Sequence, residues 1–447
     1  MKLNLTLSKL ASITGGTLRA ADPRAPFHSF VTDSRVLAKG DAFWALKGRN
    51  HDAHRFIGDV VKKGASVIIG EKGRIPAVPE SVAVLEVEDS LKALQALAKY
   101  HRLNSAIKIA AVTGSNGKST TKQMLKSICE QAGETIANTG NFNNQFGVPF
   151  SLLEIQPKHE LGVFELGASR PGDIAETACL AVPDVAVITN ISAAHLEYFK
   201  DLETVYRTKT EIVPCIAPGG TLVYNMDDEL LRRLESYKGK SISFGFSPNA
   251  DLRILDTDHF SFTYKNEAYV IDVRLERHDK LNAAAACAAA IALGIFMNEI
   301  KKGLMSYTPM PMRLERLHKG QTDFILDCYN ANPASMQNAL EILGREAGSP
   351  RIAVLGDMKE LGDSSKNYHR LVARWLLDNK ADYAFLAGKE MKYAADALKD
   401  DTSVTVFYGA TPQAWVKELK ALLDKRGGTC LLKASRGMEF EKLFKEI

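Results

Sequence analysis

A lysine set between a glycine and two hydroxyl residues is the first feature of the sequence with clear chemical potential. The stretch AAVTGSNGKSTTK (110–122) continues the apolar run IKIAAV and leads into a helical pattern. Backbone N–H groups in such a turn and at the helix start attract phosphate oxygens, and glycines let the backbone approach closely. Lys118 would add an ammonium group, and the Ser119 hydroxyl would reach a magnesium ion. The stretch predicts a nucleotide site made of Gly114, Ser115, Asn116, Gly117, Lys118, Ser119 and Thr120.

The elements around this loop follow a strand–helix rhythm. Short apolar runs (GVFEL, VAVIT, TLVYN) are separated by helical patterns, which predicts a mostly parallel sheet with helices on both faces. Residues 240–275 change to short alternating strands (SISFGF, FSFTYK, AYVIDVRL), which predict an antiparallel appendage. The rhythm then restarts in FILDCY, RIAVLGD, YAFLAG, VTVFYG and TCLLKAS, which predicts a second doubly wound domain.

The length of 447 residues favours about three domains. We predict an α/β chain with a small mixed α/β N-terminal domain over residues 1–88. A central P-loop ATPase-like domain with a mostly parallel sheet would cover residues 89–313. A C-terminal Rossmann-like domain would cover residues 314–447.

Composition excludes several classes of protein. The charged fraction of 25% and the formal net charge of +4 come without a basic block, so we expect no nucleic-acid partner. The longest apolar run, AAAACAAAIALGIF (283–296), is too short and too alanine-rich for a membrane span. The six cysteines form no CxxC pair, which favours a reducing cytoplasm and argues against a disulfide framework or a zinc site.

The shortened loop TGSNGKST, with two residues between its glycines, resembles the phosphate loop of the Mur ligase superfamily. These cytoplasmic enzymes join amino acids or peptides to a carboxylate at the expense of ATP. The resemblance extends to five further segments: FELGAS (164–169), ITNISAAHLEYF (188–199), YRTKTEI (206–212), RHDKLNAAAA (277–286) and MRLE (312–315).

The resemblance implies a magnesium-dependent site. Glu165 and His195, with Ser119, would be magnesium ligands, and Lys209 would take up carbon dioxide to become a carbamate that holds a second magnesium ion. Carbamate formation needs a neutral amine, which a crowded cationic site favours by lowering the lysine pKa. From the residues alone, other interpretations stay open: Glu165 as an ordinary glutamate at a strand end, His195 as a structural histidine, and Lys209 as a surface lysine paired with Glu203 or Glu211. By resemblance, the catalytic set is Lys118, Glu165, His195 and Lys209.

The nucleotide contacts implied by the resemblance lie on later segments. Asn282 would hydrogen-bond the adenine, Arg313 would approach the phosphates or ribose, and Asp327 would contact the ribose. The chain departs from the superfamily at His278-Asp279, where His-Asn is usual.

Two segments of the last region separate members of the superfamily. DCYNANPASM (327–336) and VLGDMKELGDSSKNYH (354–369) resemble the member that joins D-alanyl-D-alanine to UDP-N-acetylmuramoyl (UDP-MurNAc) tripeptide through an acyl phosphate. Asn332-Pro333 would also start a helix. The substrate contacts implied are Ser34, Arg35, Asn143, Asn144, Tyr329, Asn330, Asn332, Lys433 and Arg436.

The expected partners are therefore small molecules: ATP and Mg²⁺ as cofactors, UDP-MurNAc-tripeptide and D-alanyl-D-alanine as substrates. We expect a cytoplasmic monomer without a membrane span, in which the last domain closes over ATP. Two alternatives stay open: another amino-acid ligase of the superfamily, and a non-catalytic nucleotide-binding regulator. The combined presence of Lys118, Ser119, Glu165, His195 and Lys209 argues against the second.

Overall fold

A computed structural model describes residues 3–48, 51–193 and 196–447, and within these ranges the strands form four sheets. In the first region β1 pairs antiparallel with β3, and a four-stranded sheet has the order β2-β6-β5-β4. The elements are β1 (Leu5–Thr6), α1 (Leu7–Thr14), β2 (Thr17–Arg19), β3 (Pro26–Phe27), β4 (Ala42–Trp44), α2 (Ile57–Lys62), β5 (Val67–Glu71) and β6 (Ala83–Val87).

A connecting helix, α3 (Ser90–Leu103), leads into the middle of the chain. The Asp89 side chain caps its first turn by accepting hydrogen bonds from the N–H groups of Leu91 and Lys92, a common way to satisfy the unpaired amides of a helix start. The indole N–H of Trp44 donates to the Ser90 carbonyl over 3.0 Å, which ties the first sheet to this helix.

The middle sheet has nine strands in the order β15-β14-β13-β12-β11-β10-β7-β9-β8. All neighbouring pairs are parallel except β13–β14 and β14–β15. Its elements are β7 (Lys108–Thr113), α4 (Lys118–Cys129), β8 (Thr135–Ala137), α5 (Gly147–Leu153), β9 (Leu161–Glu165), α6 (Asp173–Ala181), β10 (Val185–Ile188), α7 (Leu196–Phe199), α8 (Leu202–Thr210), β11 (Thr221–Asn225), β12 (Lys240–Gly245), β13 (Leu252–Leu255), β14 (His259–Tyr264), β15 (Glu267–Arg274), α9 (Arg277–Leu293) and α10 (Met297–Met305).

The antiparallel appendage expected over residues 240–275 is only partly correct. The segment SISFGF forms β12, which runs parallel to both neighbours and continues the main sheet; β13–β15 supply the antiparallel pairs. The alternation of polar and apolar residues in this segment is the basis of the antiparallel prediction. Ser243 is buried, and its hydroxyl donates to Asp251 over 2.7 Å, so a satisfied polar residue resembled an exposed one.

The alanine-rich helix α9 is the buried helix of the middle region, as its composition predicts. Its alanines from 283 to 286 and from 288 to 290 are fully buried, in the same core as the buried residues of α4 and of the sheet. Small side chains permit this close approach of helix to helix. The helix ends at Gly294, whose φ of 87° is the left-handed conformation that favours glycine.

The last sheet has six strands in the order β16-β17-β21-β18-β19-β20, parallel except for β16–β17, with apolar clusters on both faces. This confirms the predicted three-domain α/β class. The elements are β16 (Glu315–Lys319), β17 (Thr322–Asp327), α11 (Pro333–Arg345), β18 (Arg351–Gly356), α12 (Ser365–Asp378), β19 (Tyr383–Ala387), α13 (Lys392–Ala397), β20 (Thr405–Gly409), α14 (Val416–Arg426), β21 (Gly428–Lys433) and α15 (Phe440–Glu446). Short 3-10 turns occupy Ala53–Phe56, Val213–Cys215, Leu231–Ser236, Gly362–Ser364, Pro412–Ala414 and Arg436–Met438.

The expectation against disulfides is contradicted at one pair. Cys179, on α6, is bonded to Cys215, which follows α8, with their Cα atoms 4.8 Å apart. The two are separated by 36 residues, a spacing that matches no short cysteine motif. Across residues 3–48, 51–193 and 196–447, no helix is long and apolar enough to cross a membrane.

Candidate active site

The glycine-rich loop lies between β7 and α4, as predicted. Gly114 and Gly117 have φ angles of 143° and 79°, in the region that favours glycine. A Cβ on Gly114 would overlap the Thr189 hydroxyl, and one on Gly117 would overlap the Asn282 amide oxygen. Both glycines are therefore required by backbone conformation and by close packing together.

The segment after β10 holds the loop in shape. The N–H of Ser115 donates to the Asn190 carbonyl over 2.9 Å, and the N–H of Asn116 donates to the Asn190 side chain over 3.0 Å. The Thr189 hydroxyl donates to the Asn116 carbonyl over 2.6 Å. This segment, expected from the sequence to bind metal, therefore also serves as a scaffold for the loop.

Lys118 folds back over the loop that precedes it. Its ammonium group donates to the carbonyls of Gly114 at 2.8 Å and Ser115 at 3.0 Å. Burial lowers the pKa of Lys118 below its usual range, and the nearby Glu165 carboxylate opposes this effect. The ammonium group is therefore held against the loop carbonyls, beside the N-terminus of α4.

Glu165, at the end of β9, receives hydrogen bonds on both carboxylate oxygens. The Ser119 hydroxyl donates to Oε2 over 2.7 Å, and the Asn143 amide donates to Oε1 over 2.8 Å. Burial alone would raise the pKa of Glu165, but the charge of Lys118 and the Ser119 hydrogen bond outweigh it and hold this pKa below its usual range. The carboxylate is thus an anion beside the phosphate loop. Arg313 reaches the same place and donates from Nη2 to the Ser119 hydroxyl over 3.0 Å.

Two residues behind Glu165 were missed by the sequence analysis. The Asn138 side chain accepts from the Glu165 N–H over 2.9 Å, and the buried Lys122 donates to the Asn138 carbonyl over 2.9 Å. Lys122 lies one helical turn beyond Lys118, so the spacing of the two lysines could have predicted that they share a face of α4.

Lys209, near the end of α8, is the most deeply buried of the predicted catalytic lysines, with 2% of its surface exposed. Its ammonium group lies 5.7 Å from the centre of the Phe199 ring. Burial, reinforced by the charge of Lys118, lowers the pKa of Lys209 to about 7. This is the environment that carbamate formation requires, and it rules out the interpretation of Lys209 as a surface lysine. His195 lies outside the described residues.

A cavity of about 1000 Å³ is lined by the phosphate loop on one side and by the last region on the other. An apolar wall that includes Leu281 and Tyr307 lies on one side, next to Asn282, whose amide donates to Asp279 over 3.2 Å. The predicted residues that line the cavity are Ser115, Asn116, Gly117, Lys118, Ser119, Thr120, Asn282, Arg313, Asp327, Asn330, Asn332 and Lys433.

The last region contributes a stacked group of side chains. The Tyr329 ring lies 4.2 Å from the Arg313 guanidinium and 5.9 Å from that of Arg436. Lys433 is 1% exposed and pairs with Asp327 while also donating to the Asn330 carbonyl over 3.2 Å. Lys433 and Asp327 therefore neutralise each other in the present arrangement.

The predicted substrate residues of the first two regions lie apart from this cavity. Arg35 is 86% exposed at its side chain and pairs with Asp33, while the carbonyl of Ser34 accepts from Lys63 over 2.7 Å. The Asn144 side chain accepts from the N–H groups of residues 146 and 147, at the start of α5. None of these predicted residues lines the cavity.

Known proteins share this organisation along the chain. Residues 26–102 match the Mur ligase family, catalytic domain; residues 112–290 match the Mur ligase middle domain; and residues 312–436 match the Mur ligase, glutamate ligase domain. The UDP-N-acetylmuramoyl-tripeptide–D-alanyl-D-alanine ligase of Bacillus subtilis (strain 168) is 32% identical over 99% of this chain and 98% of its own length. The chain belongs to the Mur ligase family.

Solved structures of similar proteins resemble this Mur ligase over nearly their whole length. MurF from Acinetobacter baumannii is 33% identical and has a TM-score of 0.91, with 100% of this chain and 99% of that chain covered. MurF ligase from Thermotoga maritima, solved in complex with ADP, is 29% identical with a TM-score of 0.83, covering 93% of this chain and 96% of that one. This Mur ligase thus shares all three regions with both.

Proposed function

We propose that this Mur ligase joins D-alanyl-D-alanine to UDP-MurNAc-tripeptide at the expense of ATP, forming UDP-MurNAc-pentapeptide for peptidoglycan synthesis. The observation that carries the proposal is the similarity, over 99% of the chain, to a ligase named for these substrates. The similarity includes the last region, where DCYNANPASM resembles the corresponding segment of this ligase.

The reaction proceeds in two transfers. A carboxylate oxygen of the tripeptide attacks the γ-phosphorus of ATP, ADP leaves, and an acyl phosphate forms. The dipeptide amine then attacks the acyl carbon, and the tetrahedral intermediate expels inorganic phosphate as the amine loses its proton. Both steps depend on positioning and charge neutralisation, without a protein nucleophile.

The nucleotide would be held on the cavity side of the phosphate loop. The loop amides and Lys118 bind the phosphates, because their positive potential converges there. The Nε of Arg313 is buried without a hydrogen-bond partner among the described residues, which supports a role in binding the nucleotide's oxygens. Asn282 would read the adenine, and Asp327, held by Lys433, would accept from the ribose.

The residues present fit a magnesium ion at the phosphate loop. The Ser119 hydroxyl and the Glu165 carboxylate are hard oxygen donors 2.7 Å apart, and magnesium typically takes one or two carboxylates together with substrate phosphates. The described residues contain no cluster of three or more His, Cys, Asp or Glu that could hold a metal by itself, so the phosphates would supply the remaining ligands. Magnesium, when bound, neutralises phosphate charge. We assign the second site to His195 and Lys209.

We further propose that Lys209 is carbamylated. The neutral amine attacks the carbon of carbon dioxide and loses a proton to solvent, giving an N-carboxylate; the pKa of about 7 keeps a substantial part of Lys209 neutral near physiological pH. With ¹³C-bicarbonate, the wild-type protein should show a carbamate carbon resonance that Lys209→Ala lacks. A spectrum identical to that of the variant would exclude the modification.

The other substrate contacts follow the domain arrangement that we propose, with bounds at 1–88, 89–313 and 314–447. Ser34 and Arg35 would bind the uridine diphosphate, Asn143 and Asn144 would shape the wall next to the sugar, and Tyr329 and Asn330 would form the cleft on the dipeptide side. Lys433 and Arg436 would bind the dipeptide carboxylate, and the half-exposed Arg436 is the more accessible of the two.

We propose that the enzyme works as a cytoplasmic monomer on small-molecule substrates. The substrates are cytoplasmic nucleotide-linked precursors and ATP. Sedimentation equilibrium at micromolar concentration should return a mass near 49.0 kDa, and a dimer mass would contradict the monomer.

The decisive experiment is phosphate release with ATP, Mg²⁺, UDP-MurNAc-tripeptide and D-alanyl-D-alanine. Release should require all four, and Lys118→Ala should abolish it while the protein stays folded. A panel of acceptor amino acids and UDP-MurNAc peptides distinguishes this ligase from other members of the family. Absence of release in every combination would favour a nucleotide-binding regulator.

A further inference from the structure

One hydrogen bond joins the phosphate loop directly to the last region. The side-chain amide of Asn332 donates from Nδ2 to Oδ1 of Asn116 over 2.6 Å. Asn332 is 8% exposed, so this bond is largely sheltered from water. Asn332 stands at the start of α11, and Asn116 stands in the middle of the phosphate loop.

The direction of the Asn332 amide is set by the helix that it caps. Its Oδ1 accepts from the N–H of Ser335 over 3.0 Å, and the Ser335 hydroxyl in turn accepts from the N–H of Asn332 over 3.0 Å. This reciprocal capping fixes the rotamer of Asn332. With the oxygen committed to the helix, the amide nitrogen is left to point at the phosphate loop.

The partner in the loop is equally committed. The N–H of Asn116 donates to Asn190, its carbonyl accepts from Thr189 and Asn190, and its Nδ2 donates to Ser192 over 2.9 Å. Its Oδ1 accepts from Asn332. Every polar group of Asn116 is therefore paired, and a movement of the loop that displaces its side chain must break or carry along the bond to α11.

We propose that Asn332 is a positioning residue that couples nucleotide binding at the phosphate loop to closure of the last region. A nucleotide bound to the loop holds Asn116 in this arrangement, so that the bond to Asn332 keeps the start of α11, with the dipeptide side of the cleft, against the loop. The proposal rests on the ligase function proposed above, since closure matters because it brings the acceptor amine to the acyl phosphate and excludes water. In this proposal the Asn332 side chain binds the phosphate loop and does not bind a substrate.

Asn332→Ser tests the coupling without removing the cap. Serine is among the favoured residues at a helix start, yet its shorter side chain cannot span the distance to Asn116. Ser335→Ala is the matched control, because it weakens the cap but leaves the Asn332 amide nitrogen in place. The probe is a non-hydrolysable ATP analogue with Mg²⁺, added to the full-length protein and followed by small-angle X-ray scattering.

We expect the analogue to compact the wild-type protein and Ser335→Ala, but not Asn332→Ser. In turnover, Asn332→Ser should lower kcat by about tenfold, as expected for one lost buried hydrogen bond, with KM for UDP-MurNAc-tripeptide unchanged. Normal compaction together with normal kcat in Asn332→Ser would overturn the proposal and leave Asn332 as a helix cap only.

Two further measurements keep the result unambiguous. If Asn332→Ser does not fold, as judged by its unfolding transition, Asn332→Gly is used instead, because glycine is also tolerated at a helix start and likewise lacks the donor. If the wild type compacts with the analogue but shows no ligase turnover, the proposed function fails while the coupling stands. If turnover is normal and compaction is the same in every variant, the coupling fails alone.

Discussion

Replacing Lys433 by methionine should destabilise the last sheet, because the lysine is the buried partner of an ion pair. Its side chain is 1% exposed, at the end of β21, and Asp327 is 15% exposed, at the end of the neighbouring β17. The same ammonium group also donates to the Asn330 carbonyl over 3.2 Å. Methionine preserves most of the volume and removes only the charge and the hydrogen bonds.

The expected loss in the free energy of unfolding comes from the Asp327 carboxylate, which the substitution leaves without its partner. Removing one partner of a buried ion pair leaves the other charge uncompensated, which costs about 3–5 kcal/mol. The open side of Asp327 faces the cavity, so water reaches the carboxylate, and we expect a value near 3 kcal/mol. Replacing both residues, as in Lys433→Met with Asp327→Leu, should recover most of that loss, because apolar substitutes of similar size pack without an unpaired charge.

Urea unfolding followed by tryptophan fluorescence measures this effect. Trp415, which is 1% exposed in the apolar cluster on one face of the same sheet, reports on the region directly. Lys442→Met is the matched control: Lys442 is exposed and pairs with Glu439 at the surface, so its loss should cost less than about 1 kcal/mol. Equal stability of Lys433→Met and the wild type, or a double variant weaker than the single one, would refute a structural role for the ion pair.

Three further outcomes follow from local geometry. Gly117→Ala should weaken ADP binding at least tenfold in calorimetry, since the new Cβ would overlap the Asn282 side chain of α9. Gly40→Ala is the comparison: Gly40 has a φ of 92° and open space around it, so this variant carries only the strain of a left-handed alanine, about 1–2 kcal/mol. Burial lowers the pKa of His369 below its ordinary 6.5, so the unfolded chain takes up a proton at a higher pH than the folded protein does. The stability that the neutral, buried His369 contributes is therefore complete above pH 6.5 and should decrease as the pH falls. The urea midpoint of His369→Gln should depend less steeply on pH than that of the wild type, and equal slopes would contradict this. Cys179→Ser, which prevents the bond to Cys215, should lose about 2–4 kcal/mol only under non-reducing conditions, and a loss that persists in dithiothreitol would point to packing instead.

Features with a local signature were predictable from the sequence. The phosphate loop combines glycines at two left-handed positions with a following Lys-Ser pair, and the strands of both large sheets are apolar runs between helical patterns. Features set by distant partners were not predictable. The strand β12 was misread because its direction is set by pairing with β11 and β13, which its own residue pattern does not encode, and the disulfide of Cys179 depends on a helix packing that no cysteine spacing encodes.

The polar residues of the site show why the remaining roles could not be read from residue types. An asparagine near a phosphate loop suggests a ligand contact, yet the Asn143 amide is used by Glu165 and the Asn144 oxygen by the start of α5. Nearly all buried polar groups have hydrogen-bond partners within the protein. A buried polar group is therefore a candidate ligand contact only when the structure gives it no such partner. By that criterion the Arg313 Nε, buried and without a partner among the described residues, favours a ligand more strongly than either asparagine. By the same criterion Asn332 is not a substrate ligand, because both its amide nitrogen and its amide oxygen are hydrogen-bonded to protein atoms.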